Sequence, residues 1–510
     1  MKLWRRIVVA AALVAVAALP LAACGSKLGA KPGEIAIMYF KGGFGDKWLL
    51  DATEKYRAAH PEVTFKLTED PKLQENASLL LESGKNLPDI IMSQNFNWQS
   101  NVQFGQLASL DDLYDKPIQK TDGTSVKLKD YIVGDYKRYP WTDAIPGREE
   151  TKSAWIVPWS ANTVSFAYND EYLKQTRKGG SEEFWSAPPE TEAELKAFVA
   201  DINAANAAGG YTKGAYGPAK TVKPFVWPGA ALNWLTFVQT TWWAQYQGIG
   251  DDHPAEGNWY DFWDFESANV YKQSGLTESY RLLQDLFVQH TFDGEGKITG
   301  GNWVNLPDGA SEMGSLDAEI EFIKGAAVMM PVGSWLERET EDYLDAAEAY
   351  PDMRANLRMM ATPAISGARS VGVNNAQLGD FMCVPAKAVN LDLAKDFLYF
   401  LCQEEQLLDF TKSTGMMRPF EYDPIAAAPA HAWTAFQRDT IGLYTQHENF
   451  YEFSKKDSPI YVFKRLTPYV PTISTVIGNN LSKTPQEVVD AAFTSINNEW
   501  RNIQQELGLI

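Results

Sequence analysis

Short apolar runs alternate with segments of helical periodicity through the first hundred residues. Strands are predicted at 34–40, 63–67 and 88–93, and helices at 48–59 and 74–83, where apolar residues recur three and four positions apart. This strand–helix order predicts a mostly parallel sheet with helices on its faces. In such sheets ligands bind beyond the carboxyl ends of the strands. The segments 41–44 and 94–98 are therefore expected beside a binding site.

The pattern resumes in the second half of the chain. Thr191 and Glu194 fit a capping box at the start of a helix. Apolar strands are predicted at 326–330, ended by Pro331, and at 381–384. One amphipathic helix is predicted from the cap at Asn390 to Gly415, with its apolar face formed by Ala394, Phe397, Leu398, Leu401 and Leu408.

The N-terminus is typical of a targeting segment. A basic start is followed by an apolar run of 13 residues, 7–19, which is short for a membrane span but suits a signal peptide of residues 1–23. The following Leu21-Ala22-Ala23-Cys24 resembles the bacterial lipobox, in which the cysteine becomes lipidated after cleavage. The alternative is an ordinary cleavage site with an incidental cysteine. Residues 24–33 are then a lipidated Cys24 and a short polar tether.

Composition narrows the function. The chain has 46 basic and 65 acidic residues, a net charge of −19, and removal of the signal peptide leaves 43 basic residues and a net charge of −22. This charge disfavours binding to nucleic acid and to anionic lipid. Seventeen Trp, 22 Tyr and 25 Phe supply many aromatic faces. A length of 510 residues is enough for two large domains.

The sequence motifs of several kinds of catalytic and cofactor-binding sites are missing. The sequence has no zinc-protease, Walker A or dinucleotide-binding motif, and its five histidines are scattered, so we expect no cofactor and no metal. Only Cys24, Cys383 and Cys402 are present, which excludes a disulfide-rich scaffold and CxxC metal sites. Cys383 and Cys402 are either buried free thiols, the simpler alternative, or a disulfide in an oxidising compartment.

The order of motifs along the mature chain resembles the family 1 extracellular solute-binding proteins, the carbohydrate-type receptors of ABC importers. The resemblance is carried by the lipobox and by the runs Leu87-Pro-Asp-Ile-Ile91, Ile156-Val-Pro-Trp159, Ser165-Phe-Ala-Tyr-Asn169-Asp170, Gly325-Ala-Ala-Val-Met-Met330, Gly333-Ser-Trp335 and Ala394-Lys-Asp-Phe-Leu398. Two departures stand out. Glu192 occupies a position where the family often has Trp, and the stretch 211–313 matches little and is expected to carry ligand specificity.

The resemblance implies a two-lobed, periplasmic-binding-protein-like α/β fold, each lobe a mostly parallel sheet flanked by helices, with the ligand in the inter-lobe cleft. Lobe 1 is expected at 31–160 plus 374–418, and lobe 2 at 161–373 plus 419–510. The expected protein is a monomer, lipid-anchored on the extracytoplasmic face of the cell membrane. It is expected to capture a sugar, for which an oligosaccharide is the favoured prediction. Capture would occur by hinge closure, and the sugar would be delivered to the transmembrane subunits of an ABC permease.

Candidate ligand contacts lie in the strand-end loops and the crossings. A sugar needs flat aromatic faces for its C–H surfaces and short polar groups for its hydroxyls. The predicted aromatic contacts are Phe44, Trp98, Trp159 and, by the position that the family gives to a stacking aromatic, Trp335. The predicted polar contacts are Gln94, Asn95, Ser160, Asn162, Ser334 and Arg418, the last as a fork for vicinal hydroxyls.

Other functions stay open at this point. A secreted carbohydrate-active enzyme is also acidic, large and rich in tryptophan, and it needs two carboxylates across one cleft, about 5 Å or about 6.5–9.5 Å apart. A solute receptor for a peptide, a polyamine or a metal is the other alternative. The motif order and the tether favour the sugar receptor, which catalyses nothing.

Overall fold

The fold is that of a computed structural model, which describes residues 30–94, 96–133, 136, 152–212, 221–250, 252, 254–264, 267–346, 350, 352–377, 380–450, 473–478, 481–506 and 510. The predicted signal peptide and Cys24 lie outside these residues. No helix in this part of the chain is long and apolar enough to cross a membrane.

The first lobe is built on a five-stranded sheet. Its strands are β1 (Glu34–Tyr39), β2 (Thr64–Glu69), β3 (Ile90–Gln94), β6 (Ile156–Pro158) and β14 (Asp380–Cys383), and their order in the sheet is β2-β1-β3-β14-β6. The pairs β1–β2 and β1–β3 are parallel, whereas β14 runs antiparallel to both β3 and β6. A small hairpin lies beside it, β4 (Pro117–Gln119) with β5 (Ser125–Lys127).

Helices cover this sheet. In chain order they are α1 (Lys47–Ala59), α2 (Leu73–Ser83), α3 (Trp98–Gln103), α4 (Asp111–Tyr114) and α5 (Leu128–Tyr131). The later segment that returns to this lobe adds α15 (Leu391–Leu401), α16 (Glu404–Thr414) and α17 (Pro424–Ala427).

The second lobe is built on a six-stranded sheet. Its strands are β7 (Asn162–Asn169), β8 (Lys223–Phe225), β11 (Ala327–Gly333), β12 (Leu357–Met360), β13 (Val373–Gln377) and β15 (Glu448–Phe450). Their order in the sheet is β15-β13-β7-β11-β8, and β12 also pairs with β7. Strand β7 lies at the centre and all eight of its residues are buried. A separate hairpin is formed by β9 (Val288–Phe292) and β10 (Ile298–Trp303).

The second lobe carries the remaining helices. They are α6 (Asp170–Gln175), α7 (Glu192–Ala207), α8 (Thr236–Gln247), α9 (Trp259–Asp264), α10 (Ser274–Phe287), α11 (Ser315–Ile323), α12 (Leu336–Glu339), α13 (Glu341–Leu344), α14 (Met353–Asn356), α18 (Ala435–Gln446) and α19 (Pro485–Glu506). Short 3₁₀ turns lie at Gly229–Leu235, Ala268–Lys272 and Ala310–Glu312, and a π-helical turn lies at Ser474–Gly478.

Each sheet has its own hydrophobic core, and the chain passes between the cores near Ala161, between Val373 and Phe381, and again after Tyr422. The predicted two-lobed α/β fold is confirmed. Among the described strands, one strand in each sheet runs against the others, β14 in the first sheet and β7 in the second, so both sheets are mostly parallel, as expected. Strands β7 and β14 each follow a crossing between the lobes directly and not through a helical crossover, so nothing forces them to be parallel to their neighbours. The exact lobe boundaries stay a prediction.

Three local expectations change. The sequence predicts that Pro331 ends a strand, but β11 continues through it to Gly333. Pro331 lies opposite Phe166 in the antiparallel pair with β7. The single helix predicted after Asn390 is two helices, with a break at Cys402 and Gln403. Asn390 stands at the N-cap position, but its side chain instead binds Lys31, Glu34 and Asp89.

Cys383 and Cys402 are buried free thiols. Burial raises the pKa of Cys402 to about 11 and raises that of Cys383 further. Both residues lie in the core of the first lobe.

Candidate functional site

Three strands of the second sheet meet at one end, close to the crossings between the lobes. Val164 of β7 lies opposite Gly333 of β11 on one side and opposite Asn375 of β13 on the other. Asn162, two residues before Val164, lies opposite Gln377. Because side chains in paired registers share a face, Asn162 and Asn375 lie on the same face of this sheet end.

Trp335 covers this sheet end. A methyl group built on Gly333 would lie only 2.0 Å from Cζ3 of its indole, so the ring lies on the backbone of Gly333. The ring meets Phe237 edge-on at 5.5 Å and Trp234 at 5.9 Å between centroids. Trp335 is half-buried and packs against the hydrophobic cores of both lobes. It is therefore an aromatic face fixed at the junction between the lobes.

Two carboxyl groups adjoin this tryptophan. The indole Nε1 of Trp335 donates to Oε1 of the buried Glu319 at 3.2 Å. Desolvation holds the pKa of Glu319 well above its usual range, and the nearby negative charge of Glu339 raises it further. Desolvation also raises the pKa of the Glu339 carboxyl. Glu339 as a residue is exposed and lies against the first lobe, since a methyl group on Gly43 would lie 2.7 Å from its Oε2. The two lobes thus touch beside Trp335.

Three of the predicted polar contacts meet around a residue that the sequence did not single out, Asp380. Its buried carboxylate accepts hydrogen bonds from the Ser160 hydroxyl and from Nδ2 of Asn162, the latter at 3.2 Å. Gln94 lies opposite it in the sheet and also donates to it. Burial raises the pKa of Asp380 to about 6, against the opposing effect of these hydrogen bonds. Ser160 and Asn162 belong to one crossing and Asp380 to another, so the cluster joins two crossings.

Three buried oxygens near this sheet end lack a hydrogen-bond partner among the described residues: Asn162 Oδ1, Asn375 Oδ1 and Ser334 Oγ. The donor group of Asn375 is used, because its Nδ2 donates to the Phe237 carbonyl at 3.3 Å. Backbone hydrogen bonding fixes Ser334, whose N–H donates to the Thr163 carbonyl at 2.9 Å. Buried polar atoms are normally satisfied, so these oxygens are well suited to accept hydrogen bonds from a bound molecule.

The other predicted aromatic contacts are buried in the first lobe. Phe44 meets Trp159 edge-on at 5.0 Å, and Trp48 stacks on Trp159 at 5.6 Å between centroids. Trp98 is 1 % exposed and packs edge-on against Phe381 at 6.5 Å. Burial of this extent favours a packing role for all three predicted residues, and their contact with a ligand stays a prediction.

Arg418 is also buried. Its guanidinium donates to the Leu401 carbonyl at the end of α15 and to the Pro158 carbonyl at 3.4 Å. Among the described residues it forms no ion pair, and desolvation lowers its pKa. A cation at a helix C-terminus is favourable for the unpaired carbonyls and the helix dipole. This geometry gives Arg418 a structural task that needs no ligand, and the predicted contact with vicinal hydroxyls stays untested.

The structure therefore brings together Gln94, Ser160 and Asn162 around Asp380, places Ser334 and Trp335 at the neighbouring sheet end, and buries Phe44, Trp98, Trp159 and Arg418 on the first-lobe side. Asn95 lies outside the described residues. Sequence reasoning missed Asp380, Asn375, Glu319 and Glu339. Asp380 precedes a predicted strand, which was a usable signal. Nothing in the sequence marked the other three.

A cavity of about 620 Å³ opens between α1 and α16 of the first lobe and Arg338 and Glu341 of the second. The charged side chains around it are mostly paired, as in Lys55 with Asp409 and Arg338 with Glu341.

Within the described part of the chain, no group of three His, Cys, Asp or Glu residues is arranged to hold a metal ion.

A model of the family described as bacterial extracellular solute-binding protein matches residues 51–438, which is more than half of the chain. No curated protein sequence matches the chain.

Solved structures share the fold over nearly its whole length. One is the GacH receptor of Streptomyces glaucescens GLA.O, described without ligand and with acarbose, which has a TM-score of 0.59, 15% identity and coverage of 92% of this chain and 98% of its own. A chitin oligosaccharide binding protein has a TM-score of 0.58, 17% identity and coverage of 91% and 99%. A protein from a study of xylan utilization by Caldanaerobius polysaccharolyticus has a TM-score of 0.62, 15% identity and coverage of 91% and 100%. At these identities the likeness concerns the fold.

Proposed function

The chain belongs to the family of bacterial extracellular solute-binding proteins, and from this premise we propose that it is a lipid-anchored receptor that captures an oligosaccharide between its lobes and delivers it to the permease of an ABC importer. The observation that carries the carbohydrate part is the pairing of a fixed aromatic face with hydrogen-bond acceptors at the lobe junction. Trp335 supplies the face, and Asn162, Asn375 and Ser334 supply the acceptors.

This pairing suits a sugar because a pyranose ring has an apolar C–H face and a rim of hydroxyl donors. The aromatic ring covers the first, and amide and hydroxyl oxygens accept from the second. The structural neighbours support the same class, since their descriptions name acarbose and chitin oligosaccharides as the molecules they bind. A ligand that contacts both lobes stabilises the closed arrangement by the free energy of those joint contacts.

The anchor part of the proposal rests on the lipobox-like Leu21-Ala22-Ala23-Cys24, and the family places the mature chain outside the cytoplasmic membrane. We expect the mature protein to be a monomer. Its lipid would have to hold it at the membrane, since an anionic bilayer surface repels a net charge of −22.

The test is a calorimetric titration of the signal-peptide-free protein against maltotriose, xylotriose, chitotriose, raffinose and acarbose, with spermidine and a tripeptide as non-sugar controls. We expect at least one sugar to bind with a dissociation constant on the order of micromolar, about −8 kcal/mol. The same sugar should raise the melting temperature and be recovered intact after prolonged incubation. Binding of a control alone, or cleavage of the sugar, would contradict the receptor function.

A further inference from the structure

We propose that Asp380 is the positioning residue of the ligand site: its carboxylate holds the side-chain amide of Asn162 with the NH₂ group turned inward, so that the carbonyl oxygen is presented to a ligand hydroxyl, and protonation of the carboxylate removes that acceptor. This proposal rests on the proposed function, since it concerns how the same site recognises a sugar.

The first step is the geometry of the cluster. Asp380 begins β14, whereas Ser160 and Asn162 lie more than 200 positions earlier, on the first crossing between the lobes. The carboxylate oxygen Oδ2 accepts from both of these side chains. Asn162 Nδ2 also lies 3.4 Å from the Ser160 oxygen. These contacts fix the Asn162 side chain at the point where the chain enters β7.

The second step is the polarity of the Asn162 amide. An ionised carboxylate can only accept hydrogen bonds, so an asparagine beside it must turn its NH₂ group towards it. The orientation of the amide is therefore set by the charge of Asp380. Its Oδ1 then points away, and it is one of the buried oxygens without a partner among the described residues.

The third step is the match with a sugar. Asn375 Oδ1, on the same face of the sheet end, also lacks a partner in the described part of the chain, because its NH₂ group is held by the Phe237 carbonyl. The two amide oxygens share a face of the sheet end at which the indole of Trp335 lies on Gly333, and they form an acceptor edge there. Such an edge favours a ligand that presents hydroxyl donors, and it disfavours one whose polar rim only accepts.

The fourth step is the effect of protonation. A protonated carboxyl is itself a donor, so Asn162 can turn its carbonyl oxygen inward to accept from it and present NH₂ to the ligand. The side chains that face Asp380 are Gln94 from β3 and Ser160 and Asn162 from the crossing, all of them uncharged, and the Trp159 backbone N–H donates to its carbonyl at 3.1 Å. Among the described residues, then, no ionisable neighbour obscures its titration.

The first experiment needs no ligand. In protein labelled with ¹⁵N at asparagine, the side-chain NH₂ signal of Asn162 is assigned by its loss in Asn162→Ala. We expect this signal to shift with pH with a midpoint near 6, the pKa of Asp380, and to be constant in Asp380→Asn. A wild-type signal that does not titrate between pH 4.5 and 8, or one that titrates unchanged in Asp380→Asn, overturns the proposal.

The second experiment measures affinity for whichever of xylotriose, chitotriose, maltotriose, raffinose and acarbose binds at pH 7.5. With a pKa of about 6, only about one Asp380 in ten is ionised at pH 5, so the affinity should be about tenfold lower there than at pH 7.5. In Asp380→Asn the affinity should not change between the two pH values.

Asp89→Asn is the matched control. Asp89 is also fully buried and is bound by neutral donors, the N–H groups of Ala36 and Asn390, at the other end of β3. This variant should keep the pH dependence of the wild type. Sugar binding that is strong and independent of pH in the wild type contradicts this proposal alone. Failure of every sugar to bind contradicts the proposed function and, with it, the ligand part of this proposal.

Discussion

The indole of Trp335 rests on the α-carbon of Gly333, two residues before it in the chain. A methyl group at Gly333 would lie 2.0 Å from Cζ3 and 2.4 Å from Cε3 and Cη2 of that ring. The glycine is therefore needed for the ring and not for the backbone, because its φ does not lie in the left-handed region. The relationship explains why the last residue of β11 has no side chain.

Replacing Gly333 with alanine should weaken sugar binding. The new Cβ displaces the indole from the sheet end, and the loss of a fixed aromatic anchor costs on the order of 1–2 kcal/mol in binding, about tenfold in affinity. Calorimetry with the sugar that binds the wild type measures this. Gly250→Ala is the control, since a methyl group there meets nothing within 4 Å. Equal weakening by both variants would show that the effect is not specific to the indole.

Trp335→Ala should weaken the same binding by about 1 kcal/mol or more, because the aromatic surface is lost altogether. Trp335→Phe should restore most of the affinity, since a ring face remains, while the hydrogen bond from Nε1 to Glu319 is lost. Circular dichroism and melting temperature check that both variants are folded. A folded Trp335→Ala protein with wild-type affinity would remove this residue from the site.

Glu192 shows how a departure from the family pattern is accommodated. It is buried at the start of α7, where it accepts from the Ser366 N–H and pairs with Lys196 and Arg281. Burial alone would raise the pKa of its carboxyl, but these partners together lower it to about 2. The charged network ties α7 to α10 in the second lobe.

Removal of this charge should lower stability in a way that depends on pH. A carboxylate whose folded pKa is depressed contributes stability that is fully present above its unfolded pKa, near 4.5, and is lost as the pH falls towards 2. Glu192→Gln should therefore lower the free energy of unfolding by about 2 kcal/mol at pH 7, and by much less near pH 2.5. Urea unfolding at both pH values tests this, with the exposed Glu183→Gln as control. A deficit of the same size at both pH values would contradict the ionic explanation.

The thiols of the two described cysteines should not react with reagents while the protein is folded. Burial keeps both thiols protonated and out of reach, so a thiol reagent at pH 8 should label neither Cys383 nor Cys402 within minutes. In 6 M guanidinium chloride both should react. The control uses protein that lacks Cys24 and is unfolded without a reductant. If no thiol reacts in this protein, Cys383 and Cys402 form a disulfide.

Cys24 should determine attachment to the membrane. In a bacterial host, the wild-type precursor should incorporate labelled palmitate and sediment with membranes, whereas Cys24→Ala should do neither. Cys383→Ala is the control and should behave as the wild type. Palmitate labelling that persists in Cys24→Ala would place the lipid elsewhere, and a wild-type protein that incorporates no palmitate would show that the cleavage site is an ordinary one.

Local signals in the sequence were enough for most of the elements. Apolar runs predicted β1, β2, β3 and β14 to within two residues at each end, and helical periodicity predicted α1 and α2 nearly to their bounds. Gly415 ends α16 at the predicted position, in the left-handed conformation that is typical of a helix-terminating glycine. Errors arose where partners mattered. Proline inside β11 is tolerated because of its position in the pairing with β7, which no local pattern reveals.

The sequence by itself determined the alternation of strands and helices, the acidity and the small number of cysteines, because these follow from nearby residues and from composition. The candidates Trp335, Asn162 and Ser160 came from the resemblance to a known family. Only the tertiary structure decided which candidates meet. Asp380 joins Asn162 across 218 positions, and Asn375 reaches the same face through strand pairing. The reason is physical: hydrogen-bond polarity and burial depend on what the fold places within about 3 Å of an atom, and that is fixed by long-range packing.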